Sequence, residues 1–524
     1  MTMTRSLTPR LRPTLLALAL MCTAAATTLP VHATTAPSVA WQEASADDDI
    51  SKAFAQAKTS KKPVLLYWGA KWCPPCNQLK ATLFNRADFI ELSQAFVPVH
   101  IDGDNPGAQK LGARFKVRGY PTLILFSPEG QEVTRLPGEA DAPQVLKVLQ
   151  LGLSGGRPVS AVLADARAGK KLSANEWRLL GFYGWDTDEQ QLVPAADRAA
   201  LLLQLSGVAR GVDEETGTRL LLKALAAGDQ ARSGFKPDAA TAKQVRQVLS
   251  QPALARTHVD VLANGATDIV TVLAPQSGAE RQAWVTQFSQ TLKRFEADTT
   301  LSRADRVQAL IARVELARLD QPKTELRPKL NPELLADVKT AAARADKEIT
   351  DGHERQAVIT SAAYALGRAG LWAESDALLK AGLAKSHAPY YLMSMLGGNA
   401  KKLGRKDEAL RWYEEAFTKS EGPATRLQWG SGYLSALVEL APQDSARIEK
   451  VASQLLTEAA KDKGAFYERS ARSLQRASAQ LVQWNADGRN DATLNRLRQQ
   501  LDGVCSGLNG GEKSTCDNLL KKRG

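Results

Sequence analysis

The chain has 524 residues, 44% hydrophobic and 24% charged, with a formal net charge of +12 and five cysteines. That length accommodates roughly two to four domains, each with an ample core. The basic excess is spread thinly, with no like-charge block or basic-aromatic stripe, so no nucleic-acid partner is expected. Nothing after the N-terminal stretch is long and apolar enough to span a bilayer.

The first residues carry Arg5, Arg10 and Arg12, then an apolar run from Leu15 to Met21, then small residues leading to Val31-His32-Ala33. This pattern predicts a secretory signal over residues 1–33, cleaved after Ala33, and hence an exported protein of the periplasm. Cys22 follows the bulky Met21, which argues against a lipid anchor there. The remaining cysteines fall into two close pairs, Cys73 with Cys76 and Cys505 with Cys516, and in an exported protein both pairs should be able to oxidise. The histidines left after cleavage, His100, His258, His353 and His387, are scattered, so no metal site is expected. No nicotinamide or flavin motif is present, and no cofactor is expected.

From Trp41 to Leu153 the pattern alternates helix and strand. Asp47 or Asp48 opens an amphipathic helix through Lys58, and Pro63–Trp68 reads as a buried strand. Pro74–Leu83 is a helix, Phe96–Asp102 a second buried strand, and Pro106–Phe115 a helix entered through Asn105-Pro106-Gly107. Pro121–Ser127 and Glu132–Leu136 form a hairpin around Pro128-Glu129-Gly130, and Ala142–Leu151 closes with a helix. The product is a mixed sheet with helices on both faces.

The strand Val64-Leu65-Leu66-Tyr67-Trp68 delivers Cys73 to the start of a helix, because Pro74 and Pro75 fit only a turn or a helix's first turn. Partial positive charge and free N–H groups at a helix N-terminus favour the thiolate, which is the form that attacks disulfides. Cys76, one turn on, is placed as the resolving thiol. Neither proline offers an N–H, so the Cys73 thiolate lacks two donors. A less stabilised thiolate makes the reduced protein a better reductant, favouring reduction or isomerisation over strong oxidation.

Trp72-Cys73-Pro74-Pro75-Cys76, together with Val117-Arg118-Gly119-Tyr120-Pro121-Thr122-Leu123-Ile124-Leu125-Phe126, resembles the thioredoxin family in its active-site motif and in the strand after its cis-proline. His100-Ile101-Asp102, Asn105-Pro106-Gly107 and Gly138 follow in the right order. The resemblance covers about a fifth of the chain. It implies a cis Tyr120-Pro121 bond lying against the dithiol, with neighbouring backbone groups free to pair with a substrate strand, and a shallow groove formed by Trp72, Tyr120, Pro121 and Gly138. It also exposes a departure. Family members carry a buried aspartate six residues before the first cysteine, thought to move the resolving thiol's proton, and here that residue is Tyr67. Tyrosine is a poor base near neutral pH. Lys71, two residues before Cys73, is a candidate modulator of its pKa.

Ser154-Gly155-Gly156-Arg157-Pro158 reads as a linker, which places one α/β domain at 41–153 and a helical region at 159–500. That region is rich in Ala, Leu, Arg, Glu and Gln, with helical spacing throughout and no second catalytic motif. A period of 34 aligns Gly370, Glu374 and Leu383 with Gly404, Glu408 and Phe417. This spacing, clearest at 360–420, resembles the tetratricopeptide repeat, whose stacked helices commonly bind another protein. The tail, 501–524, carries Cys505 and Cys516 across a glycine-rich loop, a candidate structural disulfide.

The fold expected is therefore multidomain, an α/β thioredoxin fold followed by an all-α, tetratricopeptide-like region. The function expected is an exported thiol-disulfide oxidoreductase acting on protein disulfides. Cys73 attacks, Cys76 resolves, and electrons come from an external thiol donor such as a membrane-embedded carrier. The helical region would choose the protein partner. The rival is a non-catalytic scaffold that uses both folds only for binding. The sequence does not specify an oligomeric state.

Overall fold

The computed structural model describes residues 38–136, 141–188, 191–230 and 235–521. Its N-terminal part comprises β1 (Gln42–Glu43), α1 (Asp47–Ser60), β2 (Val64–Gly69), α2 (Pro74–Thr82), α3 (Ala87–Leu92), β3 (Val97–Asp102), α4 (Ala108–Arg114), β4 (Thr122–Phe126), β5 (Glu132–Leu136) and α5 (Ala142–Leu153). The strands lie in the order β1-β3-β2-β4-β5. β3 runs parallel to β1 and β2, while β4 runs antiparallel to β2 and β5. The sequence reading missed β1 and α3.

Central β2 is buried along its whole length, and its period of two sorts the side chains between two cores. Leu65 and Tyr67 join Leu79, Leu83, Phe89, Val145 and Leu149 beneath α2, α3 and α5. Val64, Leu66 and Trp68 join Ile50, Ala53, Ala57, Ala108 and Leu111 beneath α1 and α4. This is the expected mixed sheet with helices on both faces.

A short turn leads from α5 to α6 (Val159–Arg167) and α7 (Ala174–Gly181). Leu179 and Phe182 belong to the same core as Leu65, Tyr67 and Leu149, and the Gly184 N–H donates to the Arg135 carbonyl of β5 at 2.7 Å. The core on this face thus extends past residues 154–158.

Among the described residues, every regular element beyond is a helix. The chain continues through α8 (Ala195–Arg210), α9 (Glu214–Ala226), α10 (Ala239–Ser250), α11 (Pro252–Thr257), α12 (Val259–Asn264) and α13 (Ala266–Leu273). It goes on through α14 (Ala279–Ala297), α15 (Arg303–Arg318), α16 (Pro332–Glu348), α17 (Gly352–Arg368), α18 (Trp372–Gly382) and α19 (Pro389–Lys402). It ends in α20 (Lys406–Lys419), α21 (Pro423–Leu440), α22 (Ser445–Lys461), α23 (Glu468–Trp484), α24 (Asp491–Cys505) and α25 (Gly510–Asp517). Successive helices pack on one another, α17 on α18 and α19 on α20 among them. Gly370 and Gly404, 34 residues apart, both turn the chain at positive φ, +80° and +72°, after the first helix of each of these pairs. Gly367 lies against the Trp372 ring and Gly397 against the Tyr413 ring, close approaches that a Cβ would crowd to 3.1 Å. Among the described residues no helix is long and apolar enough to cross a membrane.

The tail differs from the glycine-rich loop expected. Cys505 ends α24 and Cys516 lies within α25, so the pair joins two helices. Both sulfurs are buried among Leu501, Leu519 and Leu520, and they are bonded to each other.

Candidate redox site

Cys73 is the N-cap of α2. Its backbone is extended (φ −67°, ψ 116°), and its Sγ accepts the Cys76 N–H at 3.3 Å. Pro74 and Pro75 occupy the first helical turn without an N–H to offer. The donor deficit read from the sequence is therefore partial, because the Cys76 N–H still reaches the sulfur. The two cysteines are bonded, with Cα atoms 5.3 Å apart. The Tyr120-Pro121 peptide is cis, and the Tyr120 carbonyl oxygen lies 3.6 Å from the Cys73 Sγ, within reach of a thiol hydrogen once the pair is reduced.

Asn77, absent from the sequence reading, holds the loop. Its Nδ2 donates to the Lys71 carbonyl at 2.8 Å and to the Cys73 carbonyl at 2.9 Å, and the side chain is fully buried. Its only sequence signal was a polar residue at a position where α2 turns inward.

Tyr67 lies under α2 with its hydroxyl buried and without a hydrogen-bond partner among the described residues. The ring stacks on His100 at 4.9 Å. Burial, then the charges of Asp102 and Glu43, push its hydroxyl pKa far up. It cannot take a proton from Cys76 near neutral pH. Nearby, burial holds the Lys80 ammonium below its usual pKa, and burial with the Asp104 charge holds the Asp102 carboxyl above its own.

The two cysteines are not open to solvent, although Lys71 and Pro75 of the same loop are exposed. Cys73 is 2% exposed and Cys76 0%. Trp72 stacks on Tyr391 of α19 (5.7 Å between centroids, 16° between planes) and meets Trp429 of α21 edge-on at 5.0 Å. Its indole N–H donates to the Thr425 hydroxyl at 3.0 Å, and its carbonyl accepts from Gln356 of α17 at 3.0 Å. Lys71 Nζ pairs with Glu421 at 2.8 Å, and the Lys71 carbonyl accepts from His387 Nε2 at 3.1 Å. Because Asn77 Nδ2 already donates twice, its Oδ1 must accept, so His353 Nδ1 carries the hydrogen of their 2.6 Å bond. Burial holds both of these imidazoles below their usual pKa. Arg469 of α23 lies over the rings of Trp72 and Tyr120, at 5.2 and 5.1 Å, and is paired with Asp104.

Of the residues picked from the sequence, Cys73, Cys76, Lys71, Trp72, Tyr120 and Pro121 thus cluster at one end of the sheet. Gly138 lies outside the described residues. The helical contributors were beyond local reading, since each lies more than 270 residues away and carries no motif.

Comparison with known proteins bears on this site. A family model described as a thioredoxin-like domain matches residues 50–152. A thioredoxin-like protein of Synechocystis sp. is 36% identical over 92 residues, 18% of this chain and 83% of its own length. The chain belongs to the thioredoxin-like family. The membership rests on the α/β domain, which contains both cysteines of the site. Thiol:disulfide interchange protein DsbD 2 of Pseudomonas aeruginosa is 34% identical over 98 residues, but the match spans only 17% of that protein's length and 18% of this chain. A solved thioredoxin from Thermus thermophilus aligns over 22% of this chain and 85% of its own, at 27% identity and a TM-score of 0.19. At the family level, the thioredoxin-like domain and its relatives support thiol-disulfide oxidoreductase chemistry.

Proposed function

We propose that the chain is an exported thiol-disulfide oxidoreductase that reduces or isomerises protein disulfides through Cys73 and Cys76. The observation that carries this reading is an N-cap cysteine, fed by a buried strand, one turn before a second cysteine within a thioredoxin-like domain. In the reduced protein the Cys73 thiolate attacks one sulfur of a substrate disulfide. That S–S bond breaks, and the departing thiolate takes up a proton. Cys76 then loses its proton to water and attacks the Cys73 sulfur. The second substrate thiol is released and the chain is left oxidised. Two electrons and two protons from an external thiol donor, such as a membrane-embedded carrier, restore the dithiol.

Export rests on the signal pattern of residues 1–33, which lie outside the described residues, and the periplasm is the compartment proposed. Trp72, Tyr120, Pro121 and Gly138 are proposed to bind substrate. The repeat-like helical pairs, with their turns at Gly370 and Gly404, are proposed to be tetratricopeptide-like and to choose the partner. A scaffold reading is favoured by one observation, the cover laid over the dithiol by the helical half.

Redox titration and turnover separate the two. Equilibrated against a glutathione buffer, the Cys73–Cys76 pair should be clearly more reducing than the strong-oxidant value of about −120 mV. Purified full chain should reduce a protein disulfide when supplied with a dithiol donor, and Cys73→Ser should abolish that turnover. Inertness of the full chain toward every disulfide, with and without its helical contacts loosened, would leave only the scaffold.

A further inference from the structure

The residues around the dithiol are those a substrate would have to engage, and the same chain already engages them. Trp72 offers a ring face, an edge, an N–H and a carbonyl. Tyr391 covers the face, Trp429 the edge, Thr425 takes the N–H and Gln356 donates to the carbonyl. On one side of Cys73, Lys71 is held through its ammonium and its carbonyl. On the other, Asn77 is held by His353, and the Tyr120 ring lies under Arg469. Disulfide exchange requires the attacking sulfur to come into contact, in line, with a sulfur of the substrate. At 2% exposure, Cys73 has no space beside it for a protein disulfide.

Resting on the oxidoreductase reading above, we propose that the helical region is a built-in lid that keeps the dithiol latent, and that turnover on a protein disulfide requires α17, α19, α21 and α23 to withdraw from the Trp72 loop. The contacts suit a reversible closure. The Lys71–Glu421 pair is exposed on both sides, and the hydrogen bonds to His387, Gln356 and Thr425 can each be replaced by water. The aromatic contacts of Tyr391 and Trp429 with Trp72, together with the largely buried Arg469–Asp104 pair, are the firmer part of the hold. The helical half then acts on rate as well as on choice of partner, because reactivity toward a large substrate is scaled by the fraction of molecules that are open. A partner that binds the helical face in its withdrawn position would raise that fraction, and one that binds both positions equally would not.

The test uses the full chain carrying Cys22→Ser and Cys76→Ser, so that Cys73 is the reactive thiol while the tail disulfide stays intact. Its labelling is followed with a small reagent, iodoacetamide, and with a maleimide on a polyethylene glycol chain. Adding Gln356→Ala, Tyr391→Ala and Glu421→Arg together should speed labelling by the bulky reagent about tenfold or more, with a smaller gain for iodoacetamide. With Cys76 restored, the same lid substitutions should speed turnover of a protein disulfide. Equal labelling with and without the lid substitutions would overturn the proposal.

A comparison that needs no lid substitution guards against a variant that fails to fold. The bulky reagent should label the chain carrying Cys22→Ser and Cys76→Ser about tenfold or more slowly than a synthetic peptide of residues 71–77 carrying Cys76→Ser, and equal rates would overturn the lid. Faster labelling of the loosened chain without turnover on any disulfide would uphold the lid and sink the oxidoreductase reading instead.

Discussion

Tyr67 stands where the family's buried acid was expected, and its surroundings show how the site does without one. The hydroxyl is buried without a partner among the described residues and its pKa is pushed upward by burial, so it contributes neither a base nor a hydrogen bond to them. Tyr67→Phe removes a polar group that burial penalises. Thermal unfolding should therefore show stability unchanged or raised by up to about 1 kcal/mol, with turnover within about twofold of the parent. A large loss of turnover would show that the hydroxyl moves a proton after all. His258, between α11 and α12, tests the same reasoning elsewhere. It is fully buried with neither ring nitrogen partnered among the described residues, and burial, with the Arg219 charge, lowers its pKa to about 3. A folded-state pKa below the unfolded value means that its contribution is fully present above about pH 6.5 and is lost as pH falls toward 3. His258→Leu should flatten the acid limb of stability across that window, where the parent slope approaches about 1.4 kcal/mol per pH unit. An unchanged acid limb would place the sensitivity in another group.

At the scale of elements, patterns that repeat locally were legible and elements held only by a neighbour were not. β2 and β4 announced themselves as apolar runs that each follow a proline, β3 as an apolar run that contains Pro98, and α2 by its twin prolines. β1 is two polar residues that form a strand only because β3 offers an edge. α3 is a single short helix anchored by Phe89. The tail was read as a loop because its glycines suggested one. In the structure Gly510 and Gly511 open α25 instead, since α25 packs its Cys516 against the leucines that surround Cys505.

Two predictions belong to this scale. Leu179 of α7, 2% exposed, fills the core under α2 and α5, so Leu179→Ala should cost about 2–5 kcal/mol in chemical unfolding. A cost below about 1 kcal/mol would show that α7 is not part of that core. Cys505→Ser with Cys516→Ser should lower stability by up to about 3 kcal/mol, and peptide mapping of the unreduced protein should recover the two cysteines joined. Two free thiols there would remove the staple.

At the scale of the whole molecule, the chemistry was legible and its setting was not. Two cysteines at helical spacing after a buried strand, and a proline hairpin arm, identify the thioredoxin-like domain from residues 64–126 alone. Nothing local marks His353, Gln356, Tyr391, Thr425 or Arg469 as neighbours of Cys73. Each is an ordinary helical residue until the chain folds back on itself. The picture that results is a small redox domain whose working face is closed by the helical half of its own chain.

The division of labour between the two cysteines is tested most directly by trapping. Cells expressing the full chain with Cys76→Ser should accumulate mixed disulfides between Cys73 and other proteins, separable on non-reducing gels and released by reductant. The Cys73→Ser chain should accumulate none, because Cys76 lies inside the first turn of α2, behind the N-cap position from which Cys73 attacks. Equal trapping by both variants, or by neither, would contradict the account.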